Sequence, residues 1–163
     1  MYVLDTATII DLHQHWPASK VRGTLRKLVR DGQLKIPEGV FREVCRKSDK
    51  TKKMIRGFEK NFEDLVVKIS QVSHLKEELS RIEQTYGEEI RVGSRAYPGF
   101  WKSPSGRRAA DAQVVAVAKR FSAIVVSDDK AIQRACMLEN LECIGWTEFS
   151  RRMGLVPQPC LPL

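Results

Sequence analysis

Four acidic residues of this chain stand where carboxylates can do chemistry: Asp5, Glu43, Asp111 and Asp129. Each falls at or just beyond the carboxyl edge of an expected β-sheet. Carboxylates that converge without cationic partners repel one another and cannot all stay ionised. A hard divalent cation resolves that conflict, and an oxygen-only ligand set suits Mg²⁺ or Mn²⁺. Such an ion activates water and stabilises charge on a phosphodiester under attack. No serine–histidine or cysteine–histidine arrangement competes for the role, and no glycine-rich phosphate loop precedes a lysine. Taken singly, the acids also have bland readings. Asp5 precedes an apolar run and would serve as an N-cap for a helix over residues 7–12. Glu43 borders an apolar stripe, where a carboxylate is usually solvated. The set of four, not any one member, points to a metal.

The elements that must position these acids are readable from periodicity. Residues 107–130 organise the chain. Ala110, Val114, Val117, Ala118 and Phe121 repeat at helical spacing, and Ala123 to Val126 form the continuous apolar run of a strand covered on both faces. In a right-handed strand–helix–strand unit, Asp111 in the helix's first turn and Asp129 past the strand's end face one crevice. Tyr2 to Leu4 reads as a central strand with Asp5 at its carboxyl end. An amphipathic helix follows over 18–30, then a short strand at Leu34–Ile36. Pro37 opens a helix whose stripe is Val40, Phe41, Val44 and Cys45, with Glu43 in its second turn. Leu65 to Ile69 is strand or extended chain, and Leu75, Leu79, Ile82 and Tyr86 mark another helix. Residues 87–106, with four glycines and two prolines, read as a long loop. That loop delivers Arg107 and Arg108 to the organising helix; its Trp101 would either stack on a base or pack under the loop. A helix over 130–138, a strand at Leu141–Ile144 and a brief helix capped by Thr147 complete the pattern. The tail 157–163, rich in proline, is expected to lie extended over the surface. The sum is one α/β domain over 1–163, with a mostly parallel sheet between helical layers.

Charge narrows the partners. The chain of 163 residues carries a formal charge of +8, which favours polyanions and nucleic acid first, although solubility alone is the rival explanation. Residues 41–60 hold eight Lys or Arg against three acids. Arg42, Arg46, Lys50, Lys53 and Arg56, together with Arg107 and Arg108, are therefore the candidates to hold a phosphate backbone. Four cysteines without CxxC or metal-finger spacing fit a reducing cytoplasm. Asp5 and Asp11 interrupt the only early apolar stretch, and no run reaches the length of a membrane span. A soluble, cytoplasmic protein is expected.

Four motifs in order resemble the PIN-domain nucleases, the fold of VapC-type toxins: Tyr2-Val-Leu-Asp-Thr6, the stretch Pro37 to Glu43, Ala110-Asp111 opening a helix, and Val125-Val-Ser-Asp-Asp129, similar to a strand ending in Thr-x-Asp. The resemblance implies a three-layer α/β/α PIN-like fold. It carries the family's metal-binding and catalytic acids to Asp5, Glu43, Asp111 and Asp129, and its supporting hydroxyls to Thr6 and Ser127. Asp128 falls on the variable position, where it could substitute as a ligand. Ala7 departs from the asparagine of many members. Residues 49–106 exceed what a minimal member needs and read as a helical and loop elaboration that sets substrate or partner. The function implied is a Mg²⁺- or Mn²⁺-dependent endoribonuclease, the toxin of a toxin–antitoxin pair. Its partners would be RNA, with DNA as the alternative, an antitoxin protein, and a second copy in a homodimer. The rivals are a non-catalytic nucleic-acid-binding PIN module and a phosphotransfer or phosphatase domain of another doubly wound fold, in which Asp5 would be the nucleophile.

Overall fold

The computed structural model describes residues 1–102 and 110–155. The chain begins with β1 (Tyr2–Leu4), α1 (Thr6–His15) and α2 (Ala18–Arg30), followed by β2 (Leu34–Pro37), α3 (Glu38–Lys47) and α4 (Asp49–Asn61). Next come β3 (Val66–Val67), α5 (Leu75–Tyr86) and a hairpin of β4 (Glu89–Val92) and β5 (Arg95–Pro98). It ends with α6 (Asp111–Phe121), β6 (Ile124–Val126), α7 (Lys130–Leu138), β7 (Cys143–Ile144) and α8 (Trp146–Arg152).

The main sheet has the order β3-β2-β1-β6-β7, and each of its pairings is parallel. Helices cover both faces, giving the three-layer α/β/α PIN-like architecture. Its central strands show why: Val3, Leu4, Val125 and Val126 are wholly buried, as apolar runs must be in a sheet covered on two sides. Leu4 lies opposite Val126 in register, so β1 and β6 stop level with each other. That register brings Asp5 and Ser127 side by side at the carboxyl edge. Helix α6 is buried along Val114 to Ala118, because the sheet lies on one side of it and α5 on another. Side-chain caps start α1 at Asp5, α4 at Ser48 and α7 at Asp129.

Several elements differ from the reading of the sequence. Residues 89–98 are a β-hairpin rather than loop. Val92 pairs with Arg95 across a two-residue turn whose first position, Gly93, has φ +60°, a conformation cheap only for glycine. Helix α1 runs on to His15, and the last strand is confined to Cys143–Ile144. Thr147 sits inside α8, which begins at Trp146 behind Gly145. Arg107, Arg108 and the tail 157–163 lie outside the described residues. Among the described residues, no helix is long and apolar enough to cross a membrane.

Candidate active site

Asp5 is placed by the end of β1 and held by both carboxylate oxygens. Oδ1 accepts the Thr8 amide at 2.7 Å, which caps α1, and Oδ2 accepts the Ser127 hydroxyl. The two readings of Asp5 are thus one geometry: the cap orients a carboxylate that remains at the sheet edge, 5% exposed. Burial raises its pKa above the ordinary value, and the neighbouring charge of Asp129 adds to the rise. Hydrogen bonds from Ser127 and Thr8 oppose it.

Glu43 enters from α3, also buried. Its Oε2 accepts the Thr6 hydroxyl at 2.7 Å and its Oε1 accepts the Ala110 amide at 3.3 Å. This second contact ties α3 to the start of α6. Gly39 makes the approach feasible: a Cβ there would lie 2.7 Å from Gln113 Oε1, which accepts the Gly39 amide at 2.9 Å. Neither Gly39 nor Gln113 has a motif to announce it. The only signal is a glycine in the first turn of a helix, where propensity argues against one.

Asp111 opens α6, half-buried, and among the described residues no hydrogen bond or ion pair satisfies it. Its carboxyl pKa is pushed up to about 7, first by burial and then by the charges of Asp129, Glu43 and Asp5. All four acids therefore share one electrostatic field. Asp129 closes the group from the exposed side; its Oδ1 caps α7 through the Ile132 amide at 2.9 Å, and its own amide donates to Ser127 Oγ at 3.1 Å. Ser127, fully buried, is the joint between Asp5 and Asp129. Asp128 turns away: its Oδ2 accepts the Trp146 amide at 3.2 Å at the head of α8.

One expectation needs amendment. The acids are not wholly without a basic partner, because Lys47 Nζ lies 4.0 Å from Glu43 Oε2 and partly offsets the rise at Asp111. As the side chains stand, no three Asp, Glu, His or Cys residues among those described encircle a point that could hold a metal. The oxygens of Asp5, Glu43 and Asp129 are instead drawn onto nearby protein donors. The donor chemistry nonetheless fits a hard divalent cation: every group is a carboxylate, and burial together with the neighbouring acids pushes the Asp111 pKa up to about 7.

Arg46, Lys50, Lys53 and Arg56 are exposed on α3 and α4 and form no ion pair among the described residues. Arg42 pairs with Glu38 at 3.8 Å. The positive field is felt by His13, whose pKa is lowered by burial and then by Lys50 and Arg22.

The family model described as "Domain of unknown function (DUF4411)" matches residues 2–155. No curated protein matches the chain. Among solved structures, FitAcB from Neisseria gonorrhoeae is similar at a TM-score of 0.53 and 17% identity, over 90% of this chain and 99% of that one. VapBC-1 from nontypeable Haemophilus influenzae is similar at 0.51 and 19% identity, over 90% and 98%. PAE2754 from Pyrobaculum aerophilum is similar at 0.50 and 14% identity, over 95% and 97%. At these identities the likeness is one of fold.

Proposed function

The chain belongs to the DUF4411 family, and we propose that it is a divalent-metal-dependent endoribonuclease of the VapC type. The observation that carries the proposal is Asp111. Its carboxyl is half-buried beside three other acids and has no hydrogen-bond donor among the described residues, and burial first and the neighbouring acids next push its pKa up to about 7. A structural carboxylate would have been given a partner; a cation site explains the deficit. Asp5, Glu43, Asp111 and Asp129 would hold Mg²⁺ or Mn²⁺, which supplies an activated water and stabilises charge on a phosphodiester.

The residues divide the work. Thr6 and Ser127 fix the Glu43 and Asp5 carboxylates so that little reorganisation accompanies reaction. The α7 cap holds Asp129 where it faces solvent and an incoming strand. Exposed Arg46, Lys50, Lys53 and Arg56, with Arg42, Arg107 and Arg108, would bind the phosphate backbone. Asp128, engaged by α8, is better suited to positioning the loop than to ligating. The fold's likeness to VapBC-1 and FitAcB supports a toxin–antitoxin reading, with an antitoxin and a second copy of the chain as partners and a cytoplasmic setting. The free thiols of Cys45, Cys136 and Cys143 accord with that setting.

The test is cleavage of a structured RNA pool and a matched DNA pool with Mg²⁺ or Mn²⁺, with EDTA controls. RNA cleavage that needs the metal and disappears in Asp111→Asn is expected. Metal binding without cleavage of either pool would favour the non-catalytic module, and a covalent phosphoenzyme at Asp5 the phosphotransfer rival.

A further inference from the structure

Two arginines on α2 stand outside both the acid cleft and the basic run of residues 41–60. Arg22 and Arg26 lie one turn apart, so they share a face of the helix. Lys53 and Gly57 lie one turn apart on α4, and the two rows line one groove with Met54 and Phe58 in its apolar lining. The groove encloses about 270 Å³, and no acid lines it. Arg22, Arg26 and Lys53 form no hydrogen bond or ion pair among the described residues. Like charges gathered on a concavity repel one another, and its walls focus their field on an incoming anion. Gly57 is a second, independent observation. It sits inside α4, where glycine weakens a helix relative to alanine, yet a Cβ there meets no atom within 4 Å beyond its own stretch of helix. Packing does not require this glycine; a lining left open for a ligand does. The groove is also continuous with the cleft. Lys47 Nζ lies 4.0 Å from Glu43 Oε2. His13 bonds to Thr51 at 3.0 Å in the first turn of α4, where Lys50 and Arg22 both act on its charge. Lys53 follows Lys50 by one turn and joins Arg22 in the groove.

We propose that the groove between α2 and α4 seats a nucleotide of the RNA strand away from the cleft, so that single strands long enough to reach from the acids to Arg22, Arg26 and Lys53 are preferred. This second anchor rests on the nuclease reading and gives it a selection by strand length. The cations hold phosphates, and the apolar lining meets the sugar or base. A chain of evenly spaced charges suits a line of cations that ends at the acids. A free small molecule suits it less, because the enclosed volume falls below the roughly 300 Å³ at which small-molecule pockets begin. Lys53 thereby acts with two α2 arginines as one site, rather than as one more charge on an exposed helix.

The test uses the full chain and labelled single-stranded RNA of mixed sequence, from about three to about fifteen nucleotides, which brackets the usual site sizes. In EDTA, where no strand is cut, fluorescence anisotropy should show affinity rising with length and then levelling. Arg22→Gln with Arg26→Gln should weaken the long strands by about tenfold and flatten log K against log salt by about 1.4. Gly57→Leu fills the groove without altering charge and should weaken the same strands comparably, which loss of a diffuse positive field would not explain. Gly57→Ala should raise the melting temperature by about 2 °C; a lower one would mean that the fold itself requires the glycine, and would overturn the open lining. With Mg²⁺, KM for long strands should rise about tenfold in the double arginine variant, while kcat and the KM of the shortest cleaved strands hold. If the arginine and leucine variants bind and cut every length as the native chain does, the groove is no anchor, and the nuclease reading stands without it. A native chain that neither binds nor cuts RNA would overturn both. Polyglutamate of matched charge that competes as well as RNA, and loses affinity in the same variants, would assign the groove to an acidic protein instead.

Discussion

Two partly buried carboxylates in this molecule are treated in opposite ways. Glu139, at the end of α7, accepts hydrogen bonds from Arg81 at 3.0 and 2.8 Å, from the Tyr86 hydroxyl at 2.6 Å, and from Lys119. Those bonds, Arg81 first, hold its pKa down to about 2. Asp111, at the head of α6, receives none among the described residues, and its pKa is pushed up to about 7. The first arrangement is complete within the protein and knits α5, α6 and α7 together. The second is incomplete, and the missing component is positive charge. Satisfied networks stabilise and unsatisfied ones mark function, because only an external partner repays the cost of keeping them.

Removing charge at the incomplete site should produce the largest effect. Asp111→Asn and Asp129→Asn should each lower turnover of RNA by roughly 10²–10³-fold, since they remove electrostatic stabilisation at the reacting centre. RNA affinity, measured by filter binding without metal, should change little. Cleavage that survives in both variants would place Asp111 alongside Glu139 as a structural acid and erase the contrast.

The pH dependence of stability separates the two carboxyls by sign. Asp111 has a folded-state pKa near 7 against an ordinary 3.8. The folded protein therefore binds more protons than the unfolded between those values, and stability falls as pH rises from about 4 to about 7. Allowing for solvent screening at this half-exposed group, the loss should be on the order of 2 kcal/mol. Glu139 works the other way: its contribution is present above its ordinary 4.5 and disappears as pH falls toward 2. His13, whose pKa is lowered, adds a loss of stability below its ordinary 6.5. Subtracting the urea midpoints of Asp111→Asn from those of the native chain isolates the Asp111 contribution. Its stabilisation by asparagine should be greatest at pH 8 and should shrink when Mg²⁺ is added to the native chain. A flat difference across pH 5–8 would show that the deficit at Asp111 is absent in solution.

The complete site predicts a smaller, opposite result. Glu139→Gln should destabilise the fold by roughly 1–2 kcal/mol in urea, because Arg81 and Lys119 lose their partner but reach solvent easily. Metal-dependent thermal stabilisation should be untouched. A variant that lost the metal effect along with stability would show that α7 transmits between the two sites.

How much of this was legible from residues alone follows from the range of each interaction. The central strands and the helices 18–30, 75–86 and 130–138 were readable, because an apolar run or a 3.6-residue stripe is a local signal. The sheet-edge placement of the four acids was legible for the same reason, through the handedness of the strand–helix–strand unit. Contacts made across long separations were not. Glu139 meets Arg81 over 58 residues and Gly39 meets Gln113 over 74, and neither leaves a trace in periodicity. The hairpin at 89–98 was overlooked for a different reason. Glu89-Ile-Arg-Val92 alternates and Gly93-Ser94 is a two-residue turn signal, but the surrounding glycines and prolines hid it within an apparent loop. Lys47 was read as one more member of a charge run, although its position one turn after Glu43 aims it at the cleft.

The smallest expected effect concerns the basic face, and it tests whether the unsatisfied acids and the unsatisfied bases serve one ligand. Arg46, Lys50, Lys53 and Arg56 resemble Asp111 rather than Glu139: all are charged, and none has an ion pair among the described residues. On an exposed helix this costs almost nothing, so absence of a partner carries far less weight here than at a buried carboxyl. If phosphates complete these residues, each contact removed should cost roughly 1 kcal/mol or less at moderate salt and flatten the slope of log K against log salt by about 0.7 for single-stranded RNA. Lys50→Glu with Lys53→Glu should therefore weaken RNA binding by about tenfold and reduce the slope by about 1.4. Turnover at saturating RNA should hold, since neither lysine reaches the acids. A slope identical to that of the native chain would return this face to solvent, and leave the acid cleft as the charge imbalance that a ligand must complete.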